Sequence, residues 1–135
     1  MTTIETIAES LGTTDMRVDQ GGVHWIATGD LNVRDVAASM KEWNARFVTI
    51  TATQLPRDEG QSFDYLWDLD GQLLGFVFYR HDNVIESIYD ICEAADWIER
   101  EIHEGFSVDF AGRDYEPLLL REGNKTGVNL REEPR

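Results

Sequence analysis

Apolar residues recur through the second half of the chain at Ile91, Ala94, Ala95, Ile98, Ile102 and Phe106, a three-and-four spacing that predicts one apolar stripe on an α-helix. At about 100° per residue, Glu93, Asp96, Arg100, His103 and Glu104 fall on the far side, where a solvated face is expected. Trp97 and Glu101 fall together on one flank of the stripe and Glu99 on the other. This helix, entered through Val84 to Asp90, is the element around which the chain is organised.

Upstream, Thr2 or Thr3 can cap a first helix that buries Ile4, Ile7, Ala8 and Leu11 and stops at Gly12. Met16 to Val18 and Val23 to Ala27 read as two short strands joined around Gln20-Gly21-Gly22. Asn32 is the expected N-cap of a second helix, Val33 to Asn44, burying Val33, Val36, Ala37, Met40 and Trp43. Arg46 to Gln54 is β-branched and alternating, with Phe47, Thr49, Thr51 and Thr53 expected on one face and Val48, Ile50 and Ala52 on the other. Phe63 to Leu69 and Leu73 to Tyr79 form a hairpin through Asp70-Gly71, a strong turn signal. Three consecutive strands make an antiparallel meander.

The predicted architecture is a two-layer α+β domain of order α-β-β-α-β-β-β-α, with a mainly antiparallel mixed sheet covered by helices. Residues 1–112 form this domain. Residues 113–135 lose the periodicity and are expected to be an extended tail that needs a partner surface.

Composition narrows the function. The chain has 135 residues, enough for one domain that buries about two-thirds of its unfolded surface. Against 26 acidic residues stand 12 basic ones, giving a net charge of −14. Such a field repels phosphate backbones and anionic lipid headgroups, so neither nucleic acid nor a membrane surface is expected as a partner. The plainer reading of this acidity is a solubility device, and the sharper one is complementarity to a basic partner surface. The single cysteine, Cys92, cannot form an internal disulfide or hold an iron–sulfur cluster within the chain. With no basic start or apolar run at the N-terminus and no long apolar segment, the expected location is cytoplasmic, without direct membrane insertion.

Candidate chemistry is sparse. Glu99 and His103 are four apart on one helix and could share a metal, but two ligands make a weak signal. Gly123-Asn124-Lys125-Thr126-Gly127 lacks the glycine that a phosphate loop needs before its lysine, and no nucleophile elbow occurs. The residues alone leave open a small stand-alone enzyme, built on Glu99 and His103 or on a sheet pocket with Tyr65, Trp67 and Tyr79. A free-standing acidic binding module is also open.

Ile85 to Ile91, then Ala94-Ala95-Asp96-Trp97-Ile98-Glu99-Arg100-Glu101-Ile102, then Phe106 to Gly112 resemble the signature of the C-subunit family of NADH:quinone oxidoreductase (respiratory complex I). The same signature is shared with subunits of membrane-bound nickel-iron hydrogenases and formate hydrogenlyases. Its Trp-x-Glu-Arg-Glu core is the specific part, and Leu118-Leu119-Leu120 and Leu130-Arg131 match the leucine-rich end. Five residues depart from the pattern: Glu86 and Glu93 stand where proline is frequent, Gly105 replaces a bulky apolar residue, Ser107 a usual glycine, and Arg113 stands where histidine is common. The short chain resembles the hydrogenase-type relatives more than a full respiratory subunit.

The resemblance implies a non-catalytic subunit with no cofactor in this chain. It would buttress a hydrogenase-like large subunit beside an iron–sulfur small subunit, peripheral to the inner face of the membrane, in electron transfer from NADH, formate or a similar donor. The partner-binding residues it suggests are Trp97, Glu99, Arg100, Glu101, Phe110, Gly112, Leu130 and Arg131, with the tail from Phe110 to Arg131 lying on the large subunit.

Overall fold

A computed structural model of the chain describes residues 3–13 and 15–114. The first helix, α1 (Thr3–Ser10), buries Ile4, Ile7 and Ala8. It stops at Gly12, whose φ of 81° lets the Thr13 amide reach back to the Ala8 carbonyl at 3.0 Å, the hydrogen bond of a left-handed helix stop. Strands β1 (Met16–Val18) and β2 (His24–Ile26) pair antiparallel.

Asn32 caps α2 (Val33–Glu42), its side chain accepting from the Arg34 amide at 2.7 Å. Val33, Val36, Ala37 and Met40 are all buried. The helix ends two residues before the expected Asn44 because Asn44 takes a left-handed φ of 60° and the Ala45 amide turns back to Met40.

Strands β3 (Arg46–Gln54), β4 (Gln61–Leu69) and β5 (Gln72–Arg80) form the expected meander. Asp70 and Gly71, with φ of 52° and 89°, make the tight turn between β4 and β5. The sheet order is β1-β2-β5-β4-β3, antiparallel throughout except for the parallel β2–β5 pair. One expectation for β3 fails. A bulge at Val48 shifts the register, so Phe47 lies opposite Trp67 and Ile50 opposite Tyr65. The extra residue puts Phe47 on the same side as Ile50 and Ala52, and leaves Val48 exposed.

Two short strands are additions to the expected order: β6 (Val84–Glu86) and β7 (Asp109–Ala111) pair parallel to each other in a second small sheet. Three residues each, they are too short to carry a readable alternation. Between them a 3₁₀ turn at Glu93–Ala95 leads into α3 (Asp96–Phe106), which starts five residues later than the stripe from Ile91 implies. Ser107, with φ of 54°, ends it.

All three helices bury side chains against one face of the large sheet. Phe63, Tyr65, Trp67 and Leu69 of β4 and Leu74, Phe76 and Phe78 of β5 join Ile4, Ile7, Val36, Met40 and Ile102 in one core. The alternate residues of β4, Ser62, Asp64, Leu66 and Asp68, point to the other face. No helix among the described residues is long and apolar enough to cross a membrane.

Candidate docking surface on the third helix

Glu99 stands one turn after Ala95 and one turn before Ile102, so the helix carries it into the buried stripe rather than onto the flank expected for it. It is 0% exposed. Spacing points inward there and charge points outward; spacing prevails because partners are in place. Glu99 accepts hydrogen bonds from the Ser87 hydroxyl at 2.6 Å, the Ile88 amide at 2.8 Å and the Arg113 guanidinium at 3.1 Å. Burial pushes its pKa up, and the Ser87, Ile88 and Arg113 hydrogen bonds oppose that shift without cancelling it. Glu104, expected on the solvated side, is also buried.

Arg113 completes the frame. It bridges Asp96 and Glu99 with its two terminal nitrogens and lies 4.9 Å from the centre of the Tyr89 ring. Burial alone would lower its pKa, but the hydrogen bonds and charges of Asp96 and Glu99 raise it. The loop that supplies Ser87 and Ile88 is held from its other side by Arg34 of α2, which donates to the Ser87 carbonyl at 2.6 Å. The same guanidinium grips both oxygens of Asp90 at 2.7 and 2.8 Å. One continuous path of polar contacts, running from Arg34 through Ser87 to Glu99 and Arg113, thus ties α2, the 87–90 loop, α3 and the chain after β7.

On the outside of this frame, Trp97 is 58% exposed and Glu101 is exposed beside it. Arg100 pairs with Asp96 at 3.2 Å and stacks 5.8 Å from the Trp97 ring. The helix therefore presents a large aromatic and an acid, steadied by a cation, from a base that cannot easily rotate.

The other expected site residues divide. Phe110 is fully buried in β7, so it serves this chain's own core and is not surface. Gly112 is exposed, with a φ of 93° that directs the chain toward Arg113. Leu130, Arg131 and the Leu118 to Leu120 run lie outside the described residues, as does the tail from residue 115. Glu99 and His103 do not converge. While Glu99 turns to Ser87, the His103 ring lies 2.8 Å from the Val108 carbonyl. No group of three or more His, Cys, Asp or Glu side chains among the described residues is placed to hold a metal. Tyr65, Trp67 and Tyr79 do not line one pocket either, because Tyr65 and Trp67 point into the core whereas Tyr79, next to inward Phe78, points to the opposite face and is 66% exposed.

Sequence reading meets Ser87 and Asp90 only as members of the Ile85 to Ile91 signature, without a role, and finds no signal at Arg34. Arg113 stands out only as a departure from a family pattern.

From residue 4 to 133 the sequence matches the family of the respiratory-chain NADH dehydrogenase 30 Kd subunit. The chain belongs to that family. It is therefore a subunit of the oxidoreductase-complex type. Among solved structures it is similar to a trypsin-resistant fragment of Nqo5, with 19% identity, a TM-score of 0.64, and coverage of 83% of this chain and 96% of that one. It is also similar to a chain of the membrane-bound sulfane sulfur reductase, an archaeal respiratory membrane complex. There the identity is 21% and the TM-score 0.69, over 89% of this chain and 76% of the other. At such identities these two likenesses establish the shared fold. No curated protein matches the sequence at a significant level.

Proposed function

We propose that this protein is a non-catalytic assembly subunit, carrying no cofactor of its own, that docks a hydrogenase-like large subunit through the outer edge of α3 and lies beside an iron–sulfur small subunit. The complex is of the NADH:quinone oxidoreductase or membrane-bound hydrogenase type, formate hydrogenlyase included, and holds this chain at the inner face of the membrane. The observation that carries the reading is Trp97, more than half exposed on a helix whose opposite side is fixed by the Glu99–Arg113 frame. An exposed, pre-positioned tryptophan flanked by Arg100 and Glu101 has the composition of an interface anchor. The tail from Gly112 to Arg131, with Leu130 and Arg131 near its end, extends that contact.

Purifying the tagged full-length chain from its native cell tests this. A large subunit and an iron–sulfur subunit should co-elute, together with hydrogen, formate or NADH oxidation activity. Recovery of the chain alone and loaded with a metal would instead favour a stand-alone enzyme.

A further inference from the structure

The outer face of the large sheet, turned away from all three helices, has its own organisation. Trp25 of β2 lies flat over Gly75 of β5, where any Cβ would come within 2.5 Å of the indole ring. The indole N–H is fixed by Asp19 at 2.8 Å. Glycine at 75 is thus what allows the tryptophan to lie on the sheet. Next to it a cavity of about 310 Å³ opens between Trp25, Val77 and Tyr79. Leu66, opposite Gly75, extends the apolar ground, and Ser62, Thr51 and Thr53 form a hydroxyl rim.

Asp64 sits at the centre of this face, opposite Val77 on one side and Thr51 on the other. It is only partly exposed, and its carboxylate makes no hydrogen bond or ion pair among the described residues. Burial pushes its pKa up, with no compensating contact. Arg17 also borders the cavity, but two strands separate it from Asp64. Partly buried and without a hydrogen-bond or ion-pair partner among the described residues, this carboxylate is left available to a cation brought by another molecule.

We propose that this outer face is a second protein-docking surface, whose partner places an arginine or lysine side chain beside Asp64 and apolar groups against Trp25, Val77 and Tyr79. Apolar Trp25, Leu66, Val77 and Tyr79 beside polar Asp64, Thr51 and Ser62 have the mixed composition of a protein interface, and a cationic occupant complements both Asp64 and the net charge of −14. The surface lies across the sheet from α3, so the domain would be gripped on two sides, as a bridging subunit is. This inference does not depend on the α3 reading.

The test replaces Tyr79 with the photo-cross-linker p-benzoylphenylalanine in the full-length chain, irradiates living native cells, and identifies the cross-linked peptide after denaturing purification. The expected product joins position 79 to another protein, on a peptide with an arginine or lysine within a few residues. In the same background Asp64→Asn should lower the yield at least about tenfold, while the purified Asp64→Asn chain melts no lower than the wild type. The proposal is overturned by the absence of a cross-link, by a cross-link to a second copy of this chain or to a peptide lacking basic residues, or by a yield indifferent to Asp64→Asn.

Discussion

Glu99 and Asp64 are both withdrawn from water, the first fully and the second in part, and the protein treats them in opposite ways. Glu99 on α3 is completely buried and has three donors, one of them the Arg113 guanidinium. Asp64 on the outer sheet face is partly buried and has none among the described residues. The first pairing finishes inside the chain and fixes the helix that displays Trp97. The second is left open. A buried charge satisfied internally serves the fold, whereas one left unsatisfied at a surface lowers stability and is retained for an interaction outside it.

The difference can be broken hardest at Glu99. Glu99→Ala leaves the Arg113 guanidinium, the Ser87 hydroxyl and the Ile88 amide without their shared acceptor, and should cost about 3–5 kcal/mol in urea unfolding of the isolated chain. A loss below about 1 kcal/mol would mean that the frame contributes little. Arg113→Lys keeps the charge but cannot bridge Asp96 and Glu99 as a planar fork while lying over Tyr89. It should cost about 1–2 kcal/mol by the same measurement.

Gly75→Ala attacks the other region. Its Cβ would displace Trp25 from the sheet, costing about 1–3 kcal/mol and moving the tryptophan fluorescence toward that of a solvated indole. The smallest effect, and the most telling, is at Asp64. Asp64→Asn should leave stability unchanged or raise it, the reverse of Glu99→Ala.

The pH dependence sharpens the contrast. The folded-state pKa of Asp64 is raised above its ordinary value of 3.8. Below that value the carboxyl is protonated in both states and imposes no penalty. As pH rises, the unfolded chain releases its proton first, so folded-state stability is lost as pH passes through the raised pKa. The stability difference between Asp64→Asn and wild type, followed by urea unfolding, should therefore grow from near zero in acid to a plateau above the folded pKa, in favour of the asparagine variant. A flat difference would show that Asp64 is solvated after all.

Most of the fold is legible because its signals are local. Asn32, Asp70-Gly71 and the apolar spacing of α1 and α2 each act within a few residues. The bulge at Val48 is not, since it depends on Phe47 finding Trp67 twenty residues away; these rings meet edge-on at 5.6 Å. The candidate surface is half legible. Trp97 and Glu101 lie where helical periodicity puts them, but Arg100, expected on the solvated side, has a side chain only 18% exposed, and Glu99 reads by its charge as a border residue. Its burial depends on Ser87 and Arg113, twelve residues before it and fourteen after. Phe110 falls to docking by resemblance, although β7 needs it for the core.

The central claim is that the outer edge of α3 is where this subunit meets its complex. The most direct measurement compares co-purification of the large subunit with tagged wild-type chain and with a Trp97→Asp, Glu101→Lys double variant, expressed at equal levels in native cells. Both side chains are exposed and outside the Glu99–Arg113 frame, so the variant should melt within a few degrees of the wild type. The account predicts that large-subunit recovery falls at least about tenfold while the fold persists. Undiminished recovery with the folded variant would contradict it.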